Sequence, residues 1–186
     1  SGTTFVFTDY LTKVSPMWKE KFGAGKSVNF SSGQAAKGNP GVAGVISQTK
    51  NSIGYVSSEY AFALKIPYAR IRNVRGEFVL PSSATISAAA SGVIPADTRT
   101  SITNVDAVGA YPISTFTCMV IYKEQNYSDR SKEQAEATLD LLKYILSDEV
   151  QNITSEVHYA PLPAKTKELN MTNLKTVTYD GVAILQ

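Results

Sequence analysis

Apolar positions recur at helical spacing from the first turns of the chain. Phe7, Tyr10, Leu11 and Val14 stand at i, i+3, i+4 and i+7, which predicts an amphipathic helix over 3–14. Pro16 stops it, because the residue before a proline is pushed out of the α region. Val42, Val45 and Ile46 repeat the spacing and predict a helix over 40–48, with Asn39 as its cap and Pro40 in its first position. "SEYAFAL" predicts a short helix ended by Pro67, and "PSSATISAAA" restarts one on Ser82 or Ser83. The longest stripe is Ala135, Leu139, Leu142, Ile145 and Leu146, over 131–146, opened by the candidate capping box Ser131–Gln134. Val150, Ile153 and Val157 predict a further helix over 148–157, and a last one lies near 164–174.

Strand signals are fewer. "AYPISTFTCMVIYKE" is β-branched, aromatic and almost continuously apolar after Ser114. That pattern predicts a strand over 115–122 buried on both faces, as in a parallel sheet flanked by helices. Cys118 is then a buried, inert thiol. "SIGYVS" at 52–57 reads as a short strand. "YARIRN" and "EFVL" flank a turn at Val74-Arg75-Gly76, and Asp180-Gly181 marks a turn near the end of the chain. Residues 92–108 read as a loop with a weak strand. Helices mixed with strands make this an α/β chain without internal repeats.

Composition narrows the function. With 186 residues the chain can bury a sizeable core. Its 18 basic and 16 acidic residues give a net charge of +2. The basic residues are scattered, and the tyrosines and phenylalanines form no stacking stripe, so nothing argues for nucleic acid. No apolar run approaches the ~18 residues that cross a bilayer. The single Cys118 excludes an internal disulfide and a cysteine-rich metal site. His158 is the one histidine and sits in an apolar segment, where a packing role outweighs that of a base. Motifs for a zinc protease, a P-loop, a dinucleotide fold or a nucleophile elbow are absent. Trp18, beside Met17, plugs a small core patch, and Asp9 reads as a surface residue or one that favours the helix dipole. No catalytic residue, metal ligand or cofactor site is predicted.

The candidate chemistry lies at the first three residues. Ser1, Gly2 and Thr3 stand where the first helix begins. A helix N-terminus carries unpaired N–H donors and partial positive charge, and glycine lets an anion come close to the backbone. Ser1 and Thr3 add hydroxyls. Taken alone, the same residues also fit an ordinary capped helix.

"SGTTFVFTDYLTKVSPMWKEKFGAGKSV", "KGNPGVAGVISQTKNSIGYVSSEYA", "YPISTFTCMVIYKE" and "YAPLP" occur in an order that resembles the C-terminal part of the substrate-binding proteins of high-affinity phosphate ABC transporters. The resemblance covers nearly the whole chain. It implies a two-lobed, periplasmic-binding-protein-like fold (type II, the Venus flytrap) with phosphate in the cleft. Residues 1–110 would belong to the second lobe. Residues 111–186 would make the return crossing and complete the first lobe. Ser1, Gly2 and Thr3 match phosphate-binding positions. The family's Arg and Asp just before that step, and its first-lobe ligands, have no counterpart in this sequence, which looks like the second half of such a protein.

By the same resemblance the ligand is inorganic phosphate and the partners are the permease subunits. The location is the periplasm or the cell surface as a lipoprotein, and no chemistry is done on the ligand. The alternatives are a secreted phosphatase-like enzyme, a binding protein for another oxyanion, and an adhesion or scaffold protein reusing the fold. Two expectations follow for the chain itself. If 115–122 is helical or solvent-exposed, the family assignment falls with it. The apolar faces of that strand and of the 131–146 helix, meant for a fuller sheet, should make the 186-residue piece either rearrange or self-associate and bind phosphate weakly or not at all.

Overall fold

The computed structural model describes residues 1–185. It contains α1 (Gly2–Val14), α2 (Pro16–Lys21), α3 (Gly38–Gln48), α4 (Ser58–Ala63), β1 (Ile71–Arg72), β2 (Phe78–Val79), α5 (Ser83–Ala89), α6 (Lys132–Ile145), α7 (Asp148–Ile153), α8 (Ala164–Leu174), β3 (Thr178–Tyr179) and β4 (Val182–Ala183). β1 pairs antiparallel with β2, and β3 with β4.

α1 is the element around which residues 1–110 are arranged. Thr8 is fully buried, and its hydroxyl accepts from the Gly25 N–H at 3.0 Å, pinning the loop after α2. Tyr10 donates to the Arg72 carbonyl of β1 at 2.9 Å. Lys13 reaches Ser101 and the Thr103 carbonyl at 2.9 and 3.0 Å. Phe7 stacks on Tyr55 with ring centroids 4.3 Å apart. Tyr10 is buried as the periodicity requires, but Val14, at the end of the stripe, is exposed.

Ser15 ends α1 and also caps α2, with Pro16 in the first position where its missing N–H costs nothing. Met17 points to solvent, and Trp18 packs on Phe22 and Phe30 instead of plugging a core. Asn39 is not the cap of α3, which begins at Gly38 with Lys37 as N-cap. Residues 52–57 form no strand. They lie against α3, where Gly54 allows the approach: a Cβ there would stand 2.7 Å from Cδ1 of Ile46.

The β1–β2 hairpin forms over the expected turn. Beneath it, buried Asn73 accepts from the N–H groups of Arg75 and Glu77 at 3.1 and 3.0 Å and donates to Glu77 Oε2 at 2.7 Å. Asp180 and Gly181 both have positive φ, 50° and 74°, as the two central residues of a type I′ turn require. α5 and α6 carry full capping boxes, Ser82 with Thr85 and Ser131 with Gln134. α7 stops at Ile153, short of the predicted end. Ile153 and Val157 are exposed, residues 154–158 run on as turns, and His158 at their end adopts a positive φ of 65°.

Two separate apolar clusters form. Ala89, Ala90, Ile102 and Ala110 make one, and Leu139, Leu142, Leu174 and Val177 make the other. The largest departure from expectation lies between them. Residues 115–122 carry no strand ladder. Met119, Val120 and Tyr122 are 62%, 94% and 69% exposed, and Cys118 is exposed as well. Among the described residues no backbone N–H from Thr115 to Tyr122 finds a backbone acceptor. The segment has a strand's sequence without a neighbouring strand; Phe116 packs against the first cluster and Ile121 against the second, and the residues between them are left uncovered.

Candidate functional site

Ser1 caps α1: its Oγ accepts from the Thr4 N–H at 3.3 Å, which leaves the hydroxyl proton uncommitted. The backbone nitrogen of Ser1 donates to the Lys26 carbonyl at 2.7 Å, and the Phe5 N–H takes the Ser1 carbonyl at 3.1 Å. Among the described residues the N–H groups of Gly2 and Thr3 meet no acceptor. Gly2 is exposed, and no atom beyond its chain neighbours and its own helical turn lies within 4 Å of a Cβ built on it. The first turn of α1 holds no acidic residue, and its positive end is not neutralised from within.

Thr3 is half-buried, and its hydroxyl donates to Asn39 Oδ1 at 3.2 Å. Asn39 Oδ1 also accepts from the Ser57 N–H at 3.3 Å. Thr4 and Tyr55 share a hydrogen bond between their hydroxyls at 3.0 Å. The starts of α1 and α3 and the chain entering α4 are therefore drawn together around Thr3. The structure brings Ser1, Gly2 and Thr3 to one surface, with two bare N–H groups and a free hydroxyl proton.

Asn39 and Asp9 are the residues whose sequence reading fell short. Asn39 has the sequence position of a cap, but its side chain bonds Thr3, 36 residues away. Asp9 is more than the surface or dipole residue its position suggests. It accepts from Ser101 at 2.6 Å and from Thr103 and forms an ion pair with Lys13 at 3.2 Å. Burial pushes its carboxyl up, but the bonds from Ser101, Thr103 and Lys13 and the Lys13 charge outweigh that and hold it below its ordinary value. Nor are the aromatics as dispersed as they read. Phe7 and Tyr55 meet Phe30, Trp18 and Phe22 in one row beside α1. His158 packs edge-on against Phe62. Among the described residues no group of His, Cys, Asp and Glu is placed to hold a metal, and no helix is long and apolar enough to cross a membrane.

Comparison with known proteins adds relatives to this geometry. The chain is 42% identical over 166 residues to "Phosphate-binding protein PstS" of Xylella fastidiosa (strain Temecula1), an overlap of 88% of this chain and 44% of that protein. It is 35% identical over 196 residues to the protein of the same name in Methanocaldococcus jannaschii, covering 95% and 49%. To that of Haemophilus influenzae it is 36% identical over 186 residues, covering 95% and 52%. The chain spans about half the length of these relatives. Residues 1–149 match the model of the PBP superfamily domain, a span that includes the exposed 115–122 segment. That exposure therefore does not overturn the assignment, and the chain belongs to the PBP superfamily.

Proposed function

We propose that this chain is part of the substrate-binding component of a phosphate ABC transporter. Ser1, Gly2 and Thr3 contribute to a phosphate site at the start of α1, and the loaded protein hands its ligand to the permease subunits. The observation that carries the reading is the pair of bare N–H groups on Gly2 and Thr3, at an exposed helix start beside the free Ser1 hydroxyl, in a chain whose relatives are named phosphate-binding proteins. Oriented N–H donors at a helix start hold a dehydrated anion without chemistry on it. The protein is thus a binder and not an enzyme.

The division into lobes accompanies this reading. Residues 1–110 form part of the second lobe, and 111–186 make the crossing and complete the first. The two separate apolar clusters support the division. The protein works in the periplasm, and a lipid anchor at the cell surface is the finer version of that location.

Calorimetric titration of the full-length protein with inorganic phosphate tests the assignment. Thr3→Val replaces the hydroxyl with a methyl group of similar shape. A hydrogen bond to a charged group contributes ~1.5–3 kcal/mol, so affinity should fall roughly ten- to hundredfold. Unchanged affinity would remove Thr3 from the site. Release of phosphate from a phosphomonoester by the full-length protein would instead favour the phosphatase alternative.

A further inference from the structure

We infer that Asn39 is a positioning residue for Thr3: it holds the threonine hydroxyl in place in the empty site and gives it up when phosphate arrives. The inference rests on the reading of Thr3 as a phosphate ligand.

Asn39 lies in the first turn of α3, half-buried, and no capping duty occupies its side chain. Its Oδ1 takes two protons, one from Thr3 Oγ1 and one from the Ser57 N–H. A threonine hydroxyl carries a single proton. While that proton lies on Asn39 it cannot be given to an anion. The exchange needs only a turn of the O–H about the Cβ–Oγ bond, with the oxygen staying where it is. Asn39 Oδ1 then keeps the Ser57 bond, so no acceptor is orphaned. Thr3 trades a neutral bond for a charge-assisted one, which favours the loaded state. The Ser57 anchor matters for a second reason. It ties Asn39 to the chain entering α4, so the acceptor does not follow Thr3. The Thr3 side chain is thereby kept in one staggered position, its oxygen beside the bare N–H groups.

The test is a double-mutant cycle on phosphate affinity in the full-length protein, with inorganic phosphate as the probe. Asn39→Ala alone should weaken binding about fivefold, the range for re-ordering one side chain that is no longer held in its bound rotamer. In a Thr3→Val background the same change should alter affinity less than about twofold, because its effect passes through the hydroxyl that is no longer there. Additive losses would overturn the assignment, since a merely structural Asn39 would weaken both backgrounds alike. Asn39→Asp keeps the shape and the acceptor, and so serves if the alanine variant does not fold. Its carboxylate would grip the Thr3 proton and repel the anion, lowering affinity about tenfold or more near pH 7.5. Relative to wild type the loss should shrink as pH falls below ~4 and the carboxyl protonates. A ratio that does not move with pH would also overturn the assignment. If Thr3→Val weakens binding while both Asn39 variants leave it unchanged, only the role of Asn39 falls. If Thr3→Val is itself silent, the ligand reading fails and takes this one with it.

Discussion

Ser101 donates its hydroxyl proton to Asp9 Oδ2 at 2.6 Å, joining α1 to a loop 92 residues further along the chain. Thr103 donates to the same oxygen, and Lys13 closes the knot from one turn up the helix. The knot grips the middle of α1, while Tyr10 holds it to β1 and Thr8 holds it to the Gly25 loop. A helix fixed along its length aims its N-terminus in a fixed direction. The open donors of Gly2 and Thr3 are thus placed by residues two to three turns away from them.

Asp9→Asn should therefore destabilise the protein by about 1–2 kcal/mol, the lower part of the range for bonds to a charged group because the knot is partly exposed. The folded carboxyl lies below its ordinary value of 3.8, so the unfolded chain binds its proton first as pH falls. The contribution is complete above the ordinary value and is lost as pH drops through the depressed one. Urea midpoints of wild type and Asp9→Asn should converge on acidification. Parallel curves would show that the charge does not matter.

Glu124 should show the widest acid window. It accepts from the N–H groups of Asn126, Asp180 and Gly181 at 2.9, 3.1 and 3.1 Å and from the Thr178 hydroxyl at 2.8 Å, gathering the β3–β4 hairpin around one carboxylate. The Asn126 N–H leads these bonds, which hold its carboxyl at about 2 against an ordinary 4.5. The depressed value means stability present above about 4.5 and lost as pH falls towards about 2. Carboxyl NMR on wild type should place the titration near the lower value, and Glu124→Gln should remove the pH dependence of hairpin protection in that window. A titration near 4.5 would show that the carboxylate is not so held.

Leu139 and Leu141 provide a paired test of the second cluster. Leu139 is fully buried against Leu142, Leu174 and Val177, whereas Leu141 is 54% exposed. Leu139→Ala should cost about 2–5 kcal/mol through lost transfer energy and the cavity left behind. Leu141→Ala should stay within about 0.5 kcal/mol. Equal costs in chemical denaturation would mean that the α6 stripe faces the other way.

Residues 115–122 should make the 186-residue chain associate. Met119, Val120 and Tyr122 present an apolar row to water, and the backbone N–H groups along it have no backbone acceptors. Light scattering should give a mass above that of one chain, and Val120→Lys should lower it. A monomer that also binds phosphate at micromolar affinity or better would show that the segment needs no cover and that the donors of α1 suffice.

Helix positions and turns were determined by the sequence itself, because their causes are local. Leu139 and Leu142 repeat at the period of one face, Ser131 meets Gln134 within a single turn, and Asp180-Gly181 tolerates the positive φ of a hairpin. The candidate site was legible to the extent that Ser1, Gly2 and Thr3 stand at a helix start. Tertiary structure alone decided the rest, because a side chain's long-range partner is not written in its neighbours. Asn39 has the residue type and place of a cap, yet its oxygen faces Thr3 and Ser57. Asp9 has the spacing of a surface residue, yet Ser101 and Thr103 arrive to meet it. The 115–122 segment has the composition of a buried strand, but burial needs a second strand at hydrogen-bonding distance and a helix above. Composition states only what a segment can bury, and packing decides whether anything is there to bury it.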